Sequence, residues 1–370
     1  MAEIHWNSSK STESGAHTHH NGRMAQLLQT PEIAFEVGKF AGLVTTARLS
    51  CSSRKHASAG GMAMTPLIRD IDSYVDLHVC GSGTTVEHLQ GAAEGRSWSA
   101  LSPRPSLKEG FACTSCNGKI YVLGGMASGG CSDHVFDTAE EYDTSTGIWR
   151  ALPPMPRARW GCTAAAFNGK IYVMGGRSST TVVSTVECFD LATETWQEAP
   201  SMSEPRASAA AVQVAGELYV VGGIGNNKCN DGSANILASM EKLSADTGSW
   251  TEVASMCTAR EACAAVALSG RVCVLGGRDV EGKTLATVEA YDPISEKWEK
   301  LPSMPIARKA FVAMAIAGSV FVVGGNFDCP APKRRLTATQ QWNALTTGEW
   351  KVLASPVCHN TVQGCALFLQ

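Results

Sequence analysis

The chain has 370 residues, of which 44% are hydrophobic and 18% are charged, and its formal net charge is −3. This composition provides ample apolar material for a core, and the near balance of charge predicts attraction neither to nucleic acid nor to a membrane surface. No run approaches about 18 uninterrupted apolar residues, so the sequence predicts no membrane-spanning helix.

The first 70 residues differ in composition from the rest of the chain. They are rich in Ser, Thr, Gly and His, with a histidine cluster at 17–20, and this composition predicts a mostly disordered tail. The exception is 31–44, for which we predict a short helix. Thr30 can cap it, Pro31 suits its first position, and apolar residues recur at helical spacing.

Further along, the sequence repeats. Five aliphatic segments each end in a glycine pair, and successive pairs are 51, 47, 54 and 48 residues apart, at Gly124-Gly125, Gly175-Gly176, Gly222-Gly223, Gly276-Gly277 and Gly324-Gly325. A tryptophan follows each pair after about 25 residues, at Trp149, Trp196, Trp250, Trp298 and Trp350. A period of about 50 residues with these marks predicts a propeller in which each repeat forms one blade.

These residues resemble the kelch-repeat family, and the resemblance covers roughly residues 74–370. Two further motifs match the family, namely Asn-Gly-Lys-Ile-Tyr at 117–121 and 168–172, and Leu-Pro-x-Met-Pro-x-Ala-Arg at 152–159 and 301–308. The predicted propeller is similar to that of plant F-box/kelch proteins, although no F-box pattern is found in the sequence. The predicted fold class is therefore all-β, a six-bladed kelch-type β-propeller with four-stranded antiparallel blades.

Each repeat is predicted to supply four strands, a to d. In one repeat they are 161–167, 170–174, 185–189 and 195–198, with alternating apolar residues in strand b. The glycine pair ends strand b where the backbone must turn with positive φ or approach another strand closely. The tryptophan supplies an apolar plate between blades, with an indole N–H that can reach a carbonyl.

The sixth blade is predicted to be composite. The C-terminal strand, 362–369, has no partners downstream, whereas 74–79, 85–89 and 96–101 resemble strands b, c and d without a strand a. We therefore expect the C-terminal strand to join this N-terminal group, which closes the ring and removes an open edge. The propeller domain is thus 74–370.

The fourteen cysteines fall mostly inside predicted strands, without the spacing of a disulfide framework. This indicates reduced thiols and a cytoplasmic or nuclear protein. Cys113-x-x-Cys116 is a weak metal or redox signal, because strand residues three apart point to opposite faces. The histidines of the propeller region are scattered, so we expect neither a metal site nor a cofactor.

The connections of the predicted blades differ between the two faces of the ring. The a–b turns are short, whereas the b–c connections are long and unlike one another, at 126–138, 224–238 and 326–338. The b–c and d–a connections emerge together on what we name the b–c/d–a face, and variable loops on a rigid scaffold are typical of recognition sites.

Basic residues fall on this face in register. One ends each d–a loop, at Lys108, Arg159, Arg206, Arg260 and Arg308, and two more follow glycine pairs, at Arg177 and Arg278. Guanidinium groups bind carboxylates bidentately. Arginines at matching positions of kelch adaptors bind acidic peptides, so the resemblance implies an acidic ligand. Trp160 is a candidate anchor on the same rim.

A structural interpretation of these residues stands beside the binding one. Strand c carries a glutamate in five repeats, at Glu87, Glu140, Glu187, Glu241 and Glu289. If each d–a arginine pairs with such a glutamate, the ring of arginines is scaffold, and Trp160 can equally pack as the first residue of a strand. Arg177 and Arg278 are less dictated by the repeat, because equivalent positions hold other residues.

The sequence therefore predicts a protein-interaction module that binds a peptide or protein segment of acidic character on the b–c/d–a face. Its predicted role is a substrate receptor or a scaffold, with ubiquitin-ligase components among its partners and neither nucleic acid nor a membrane. The alternative is a propeller enzyme of the sugar epimerase or mutarotase type, which needs only a paired acid and base in the central channel. We assign no catalytic residue.

Overall fold

The structure is a computed structural model, and its described part is built from strands without any helix. It describes residues 77–80, 84, 86–90, 97–127, 134–179, 181–228, 234–316, 318–327, 339–344, 348–353 and 367–369. All of these lie in one compact unit, Met62–Leu369. The predicted tail at 1–70 and its helix at 31–44 lie outside the described residues.

The strands are short, most of them four or five residues long. They are β1 (Leu77–Cys80), β2 (Val86–Gln90), β3 (Ser97–Ala100), β4 (Lys108–Glu109), β5 (Ala112–Cys116), β6 (Lys119–Leu123), β7 (Met126–Ala127), β8 (Ala139–Asp143), β9 (Ile148–Leu152), β10 (Thr163–Phe167), β11 (Lys170–Met174), β12 (Val186–Asp190), β13 (Thr195–Ala199), β14 (Ala210–Val214), β15 (Glu217–Val221), β16 (Ile224–Lys228), β17 (Ala234–Ile236), β18 (Met240–Leu243), β19 (Trp250–Val253), β20 (Ala264–Leu268), β21 (Arg271–Leu275), β22 (Val288–Asp292), β23 (Lys297–Leu301), β24 (Val312–Ile316), β25 (Ser319–Val323), β26 (Thr339–Asn343), β27 (Trp350–Leu353) and β28 (Leu367–Leu369).

Six four-stranded antiparallel sheets form the blades of a propeller. In ring order they are blade I (β28-β1-β2-β3), blade II (β5-β6-β8-β9), blade III (β10-β11-β12-β13), blade IV (β14-β15-β18-β19), blade V (β20-β21-β22-β23) and blade VI (β24-β25-β26-β27). Two small sheets, β4-β7 and β16-β17, lie at the connections. The all-β, six-bladed fold predicted from the sequence is confirmed.

Blade I closes the ring as the sequence predicts. Strand β28 pairs with β1 in antiparallel register, with Leu77 opposite Leu369 and Val79 opposite Leu367. The first three residues of the predicted strand b, 74–76, and residues 362–366 of the predicted C-terminal strand lie outside the described residues. A strand contributed by the far end of the chain replaces an open sheet edge with a hydrogen-bonded pair.

The hydrophobic core lies between neighbouring blades. One cluster joins Tyr121 and Leu123 of blade II to Ile171, Val173 and Phe189 of blade III. Strands b and c are buried along most of their length, as in β6 and β12, whereas the outer strand d is largely exposed, as in β13. The core is therefore a series of layers around the ring.

The repeated tryptophans join each blade to the one before it. In five blades the indole N–H donates to a carbonyl of the preceding d–a loop, at 2.7 to 3.1 Å. The pairs are Trp149 with Ser102, Trp196 with Pro153, Trp250 with Pro200, Trp298 with Ala254 and Trp350 with Pro302. The predicted reach of the indole N–H to a carbonyl is thus observed.

The glycine pair is required by close contact between blades. Gly175 has φ of +61°, and a Cβ placed on it would lie 2.2 Å from the carbonyl oxygen of Arg206 in the next blade. No side chain fits there, because the obstructing atom is backbone. Strand b therefore ends in glycine wherever the next d–a loop crosses it.

Candidate functional site

The basic residues that end the d–a loops are buried. At most 1% of Arg159, Arg206, Arg260, Arg308 or Lys108 is exposed. Each of the four arginines donates from Nη1 to the carbonyl of the first glycine of its own blade's pair, at 2.7 to 3.2 Å. These guanidinium groups are therefore hydrogen-bond partners of the scaffold.

Buried glutamates of strand c complete these contacts. Arg159 pairs with Glu187 at 3.1 Å, Arg206 with Glu241 at 3.0 Å, and Lys108 with Glu140 at 3.3 Å. Arg260 and Glu289 form the fourth pair. Burial raises the pKa of Glu187 and lowers that of Lys108, while in both pairs the opposite charge acts against that shift.

This arrangement favours the structural interpretation of the d–a arginines over the ligand-facing one. Arg159, Arg206, Arg260 and Arg308 are enclosed by their own blades, and three of them hold the glutamate that the structural interpretation required. Their repetition follows from the glycine carbonyl that each of the four holds and from the buried carboxylate that three of them hold. A partner cannot reach them without opening the scaffold.

Blade VI departs from this pattern. In blades III, IV and V a glutamate of strand c lies opposite a valine of strand b, at Glu187, Glu241 and Glu289. In blade VI the equivalent residue is Gln340, which lies opposite Val322. Arg308 in this blade is fully buried, and burial lowers its pKa to about 10. An amide thus occupies the position at which the five other blades have a carboxylate.

A ring of backbone contacts surrounds the start of the a strands. Five residues, each two positions after a buried d–a cation, have φ between +49° and +61°, at Gly110, Gly161, Ser208, Ala262 and Ala310. Each of the last four donates its N–H to the carbonyl of the one before it, at 2.6 to 2.9 Å. We name this ring the mouth.

Next to the mouth, each of these five blades forms one antiparallel backbone bridge. The residue after the buried cation pairs with the residue after the glycine pair, as Glu109–Met126, Trp160–Arg177, Ala207–Ile224, Glu261–Arg278 and Lys309–Asn326. We name these the bridge pairs. The backbone geometry repeats while the side chains change, so the bridge pairs give each blade a different chemistry at an equivalent place.

In blade III the bridge pair combines an indole with a guanidinium. The Arg177 guanidinium carbon lies 5.6 Å from the centroid of the Trp160 ring, within the range of a cation–π contact. Both residues are partly exposed, and Trp160 also lies over Gly110 of blade II. Among the described residues, Arg177 forms no ion pair. The structure thus brings two of the predicted site residues together.

In blade V the equivalent arginine is already engaged. Arg278 donates from Nε to a carboxylate oxygen of Glu261 at 2.5 Å, and its Nη2 also contacts that oxygen. About 37% of the Arg278 side chain is exposed, against 7% for Glu261. The two arginines that the sequence placed at equivalent positions therefore differ in the charge they offer to a partner.

The a strands of blades II to VI line a central channel of about 510 Å³. Alanines dominate its wall, with Thr114, Ser115, Thr163 and Gln213 among the polar residues. No Asp, Glu, His, Lys or Arg is present among the wall residues that the structure describes. Cys162 and Cys263 also line it, and burial raises the pKa of each thiol to about 11.

The sequence-based interpretation missed the bridge pairs as a set. Met126, Ile224 and Asn326 were treated only as positions that lack an arginine, although each directly follows a glycine pair. Glu261, which follows Arg260, is not among the candidate site residues of the sequence analysis. The bridge pairs can be identified in the sequence by pairing the residue after each buried cation with the residue after the glycine pair of the same blade.

Two further features concern other classes of site. Within the described ranges, His, Cys, Asp and Glu side chains do not gather in any group of three or more that could bind a metal ion. The same part of the chain contains no helix of a length and hydropathy that would cross a membrane.

Comparison with protein families places most of the ring in one class. The family profile described as the KLHDC2/KLHL20/DRC7 Kelch-repeats domain matches residues 110–325. An F-box/kelch-repeat protein of Arabidopsis thaliana is 47% identical over 85 residues, which is 23% of this chain and 22% of that protein. Kelch-like protein 33 of Homo sapiens is 29% identical over 112 residues, or 28% of this chain and 20% of that protein. The chain thus covers about a fifth of each relative's length.

Solved structures share the architecture. The structure of YjhT superposes with a TM-score of 0.62 and 17% sequence identity, covering 74% of this chain and 92% of that one. At this identity the similarity concerns the fold alone.

Proposed function

The chain belongs to the kelch-repeat family, and on that premise we propose that its propeller is a protein-interaction module that holds an acidic peptide or protein segment at Trp160 and Arg177. Many kelch propellers of this family are interaction or substrate adaptors. The proposal concerns which part of the ring makes contact and the charge of the partner.

The contact between Trp160 and Arg177 carries this proposal. A guanidinium that lies against an indole is held in place on one side, and its N–H edge can still donate to a carboxylate. Trp and Arg are also the residues that most often contribute binding free energy at protein interfaces. A segment with a carboxylate beside an apolar side chain would complement this pair.

The proposed role of the module is based on the protein classes of its relatives. F-box/kelch-repeat and Kelch-like proteins are among the relatives, which favours a substrate receptor, with ubiquitin-ligase components as partners, over a passive scaffold. In that role the b–c/d–a face binds the substrate.

The enzyme alternative requires an acid and a base in the channel. No Asp, Glu, His, Lys or Arg is present among the described wall residues, and burial raises the pKa of two of the three wall thiols, Cys162 and Cys263. The exposed cation of the site lies at the mouth, where a protein segment can reach it. The distribution of charge therefore favours binding at the mouth.

A peptide-display selection tests the proposed site. Random peptides are selected on the wild type, Arg177→Ala, Trp160→Ala and Arg271→Ala. Arg271 is a control because it is similarly exposed but begins β21, on the opposite face, and pairs with Glu299. We expect wild type and Arg271→Ala to enrich an acidic motif, and the other two variants to lose it. Enrichment of the same motif by Arg177→Ala would refute the proposal.

A capture experiment from cell lysate then tests the role. Ubiquitin-ligase subunits recovered with the wild type and with Arg177→Ala, together with other proteins lost in Arg177→Ala, would support a substrate receptor. Recovery without any ligase subunit would favour a scaffold. Identical protein lists from both baits would contradict the assignment of the site to Arg177.

A further inference from the structure

The bridge pairs of blades III and V contain arginine at the same position. Arg177 and Arg278 each follow a glycine pair, and each forms a backbone bridge to the residue after a buried arginine. The residue across the bridge is Trp160 in blade III and Glu261 in blade V. Any difference in what the two arginines bind therefore originates in their bridge partners.

We propose that Glu261 acts as an internal ligand of Arg278, so that the b–c/d–a face accepts a partner's acidic group at blade III and refuses one at blade V. The inference rests on the proposed function, and it adds the residue that determines where on the ring the acidic group of the partner can bind. The partner is a protein segment with a carboxylate next to an apolar side chain.

The contact of Glu261 with Arg278 reproduces what an acidic ligand would do. The carboxylate accepts from Nε and lies against Nη2 of the same guanidinium, which are the N–H groups that an external carboxylate would use. A second carboxylate at this place would meet a neutralised cation and the negative charge of Glu261. The loop that follows Arg278 contains Asp279, Glu281 and Lys283, so its net charge is also negative.

The ion pair is not needed to form the bridge. The same backbone bridge occurs in blade IV with Ala207 and Ile224 and in blade VI with Lys309 and Asn326. The N–H and carbonyl distances in the bridge of blade V, 2.9 and 3.0 Å, match those of blade III, 2.7 and 3.0 Å. The backbone bridge therefore does not require the Glu261 side chain, whose ion pair with Arg278 instead determines whether a partner's acidic group can bind at blade V.

The surroundings of Arg177 define the rest of the ligand. The bridge pairs on either side of blade III contain Met126 and Ile224, both partly exposed. With the Trp160 ring they provide apolar side chains near a single guanidinium. An acidic residue flanked by aliphatic or aromatic residues complements this sector of the mouth.

The experiment compares peptide selection on wild type, Glu261→Gln, Glu261→Ala and the double variant Glu261→Gln/Arg278→Ala, from the same displayed random library. Glu299→Gln is the matched control, because it removes a carboxylate that pairs with Arg271 on the opposite face. Thermal unfolding of each variant verifies the fold, and the aliphatic variant provides a second test of the same position. Selected peptides are then synthesised and titrated by fluorescence polarisation.

We expect Glu261→Gln and Glu261→Ala to enrich peptides with an additional acidic position. Peptides with that position should bind about tenfold more tightly to Glu261→Gln than to wild type, and the gain should vanish in the double variant. An unchanged motif, with affinities within about twofold of wild type, overturns the inference. If Arg177→Ala still abolishes selection in that case, the proposed function survives, and if it does not, both fail.

Discussion

The backbone N–H of Gly176 donates to the carbonyl oxygen of Arg206 in the next blade, at 2.7 Å. Arg206 also donates from its side chain to the carbonyl of Gly222 in its own blade, at 3.2 Å. One arginine residue therefore links two successive glycine pairs, through its backbone and through its guanidinium. Arginine and glycine recur in the sequence because this contact recurs from blade to blade around the ring.

The first prediction concerns the space between these residues. We expect Gly175→Ala to lower the free energy of unfolding by about 3 kcal/mol, because alanine is strained at positive φ and its Cβ would meet the Arg206 carbonyl. Gly169→Ala is the control, since Gly169 has φ of +73° and open space around it, so only about 1 kcal/mol is expected. Equal losses in urea denaturation would contradict the close-contact argument.

The second prediction concerns the amide in blade VI. We expect Gln340→Glu to raise the free energy of unfolding by about 1 kcal/mol at neutral pH, because it places a carboxylate where four other blades have one beside a buried cation. In the described part of the structure, neither polar atom of the Gln340 side chain has a hydrogen-bond partner. Differential scanning calorimetry measures the effect.

The control for this substitution is Gln341→Glu. Gln341 is the next residue of β26, and its amide donates to the Asn343 side chain at 2.8 Å. Replacement of that donor should leave stability unchanged or reduce it. The reverse change in blade IV, Glu241→Gln, should cost about 2 kcal/mol, because Arg206 loses its buried carboxylate and keeps only the partly exposed Glu204, at 3.4 Å. A loss of stability in Gln340→Glu would show that blade VI is organised differently.

The third prediction concerns the pH dependence of ring closure. His78 of β1 is buried against His88 of β2, with ring centroids 4.4 Å apart. Burial, with a smaller contribution from His88, lowers the pKa of His78 from 6.5 to about 4. Between these values the unfolded chain binds a proton that the folded chain does not. Stability should therefore fall as pH decreases through this range, by about 2 to 3 kcal/mol.

The measurement compares melting temperatures at about pH 7 and about pH 5 for the wild type and His78→Phe. The variant keeps an aromatic ring at this position of β1, and it removes the titrating group. A difference between the two pH values that is smaller in the variant supports the assignment. The same difference in both proteins would attribute the pH dependence to other groups.

The fourth prediction concerns thiol reactivity. Cys257 is exposed on a d–a loop, whereas Cys162 and Cys263 are buried beside the channel. Burial raises the pKa of both buried thiols to about 11, so little thiolate forms near neutral pH. Iodoacetamide should modify Cys257 at least about a hundredfold faster than either of them in the folded protein.

Peptide mapping by mass spectrometry measures these rates. The denatured protein is the control, because all three thiols should then react at similar rates. Rapid labelling of Cys162 in the native protein would mean that the channel wall opens on the time scale of the reaction.

Much of the fold could be predicted from the sequence. The strand predicted at 170–174 is the observed β11, and the predicted closure by the C-terminal strand is confirmed. These predictions succeeded because alternating apolar residues, glycine pairs and tryptophans report local requirements that recur in each blade. Repetition of a weak local signal makes it a strong one.

The ring, its number of blades and the face on which the arginines begin all follow from the repeats in the amino-acid sequence. Which cations remain available is visible only in the folded ring, because it depends on which acid each side chain meets after the blades pack. Arg159 is enclosed with Glu187 and Arg278 is held by Glu261, whereas Arg177 lies against Trp160. Residue type and register are the same for Arg177 and Arg278, so their difference comes from the residue that each meets across its backbone bridge.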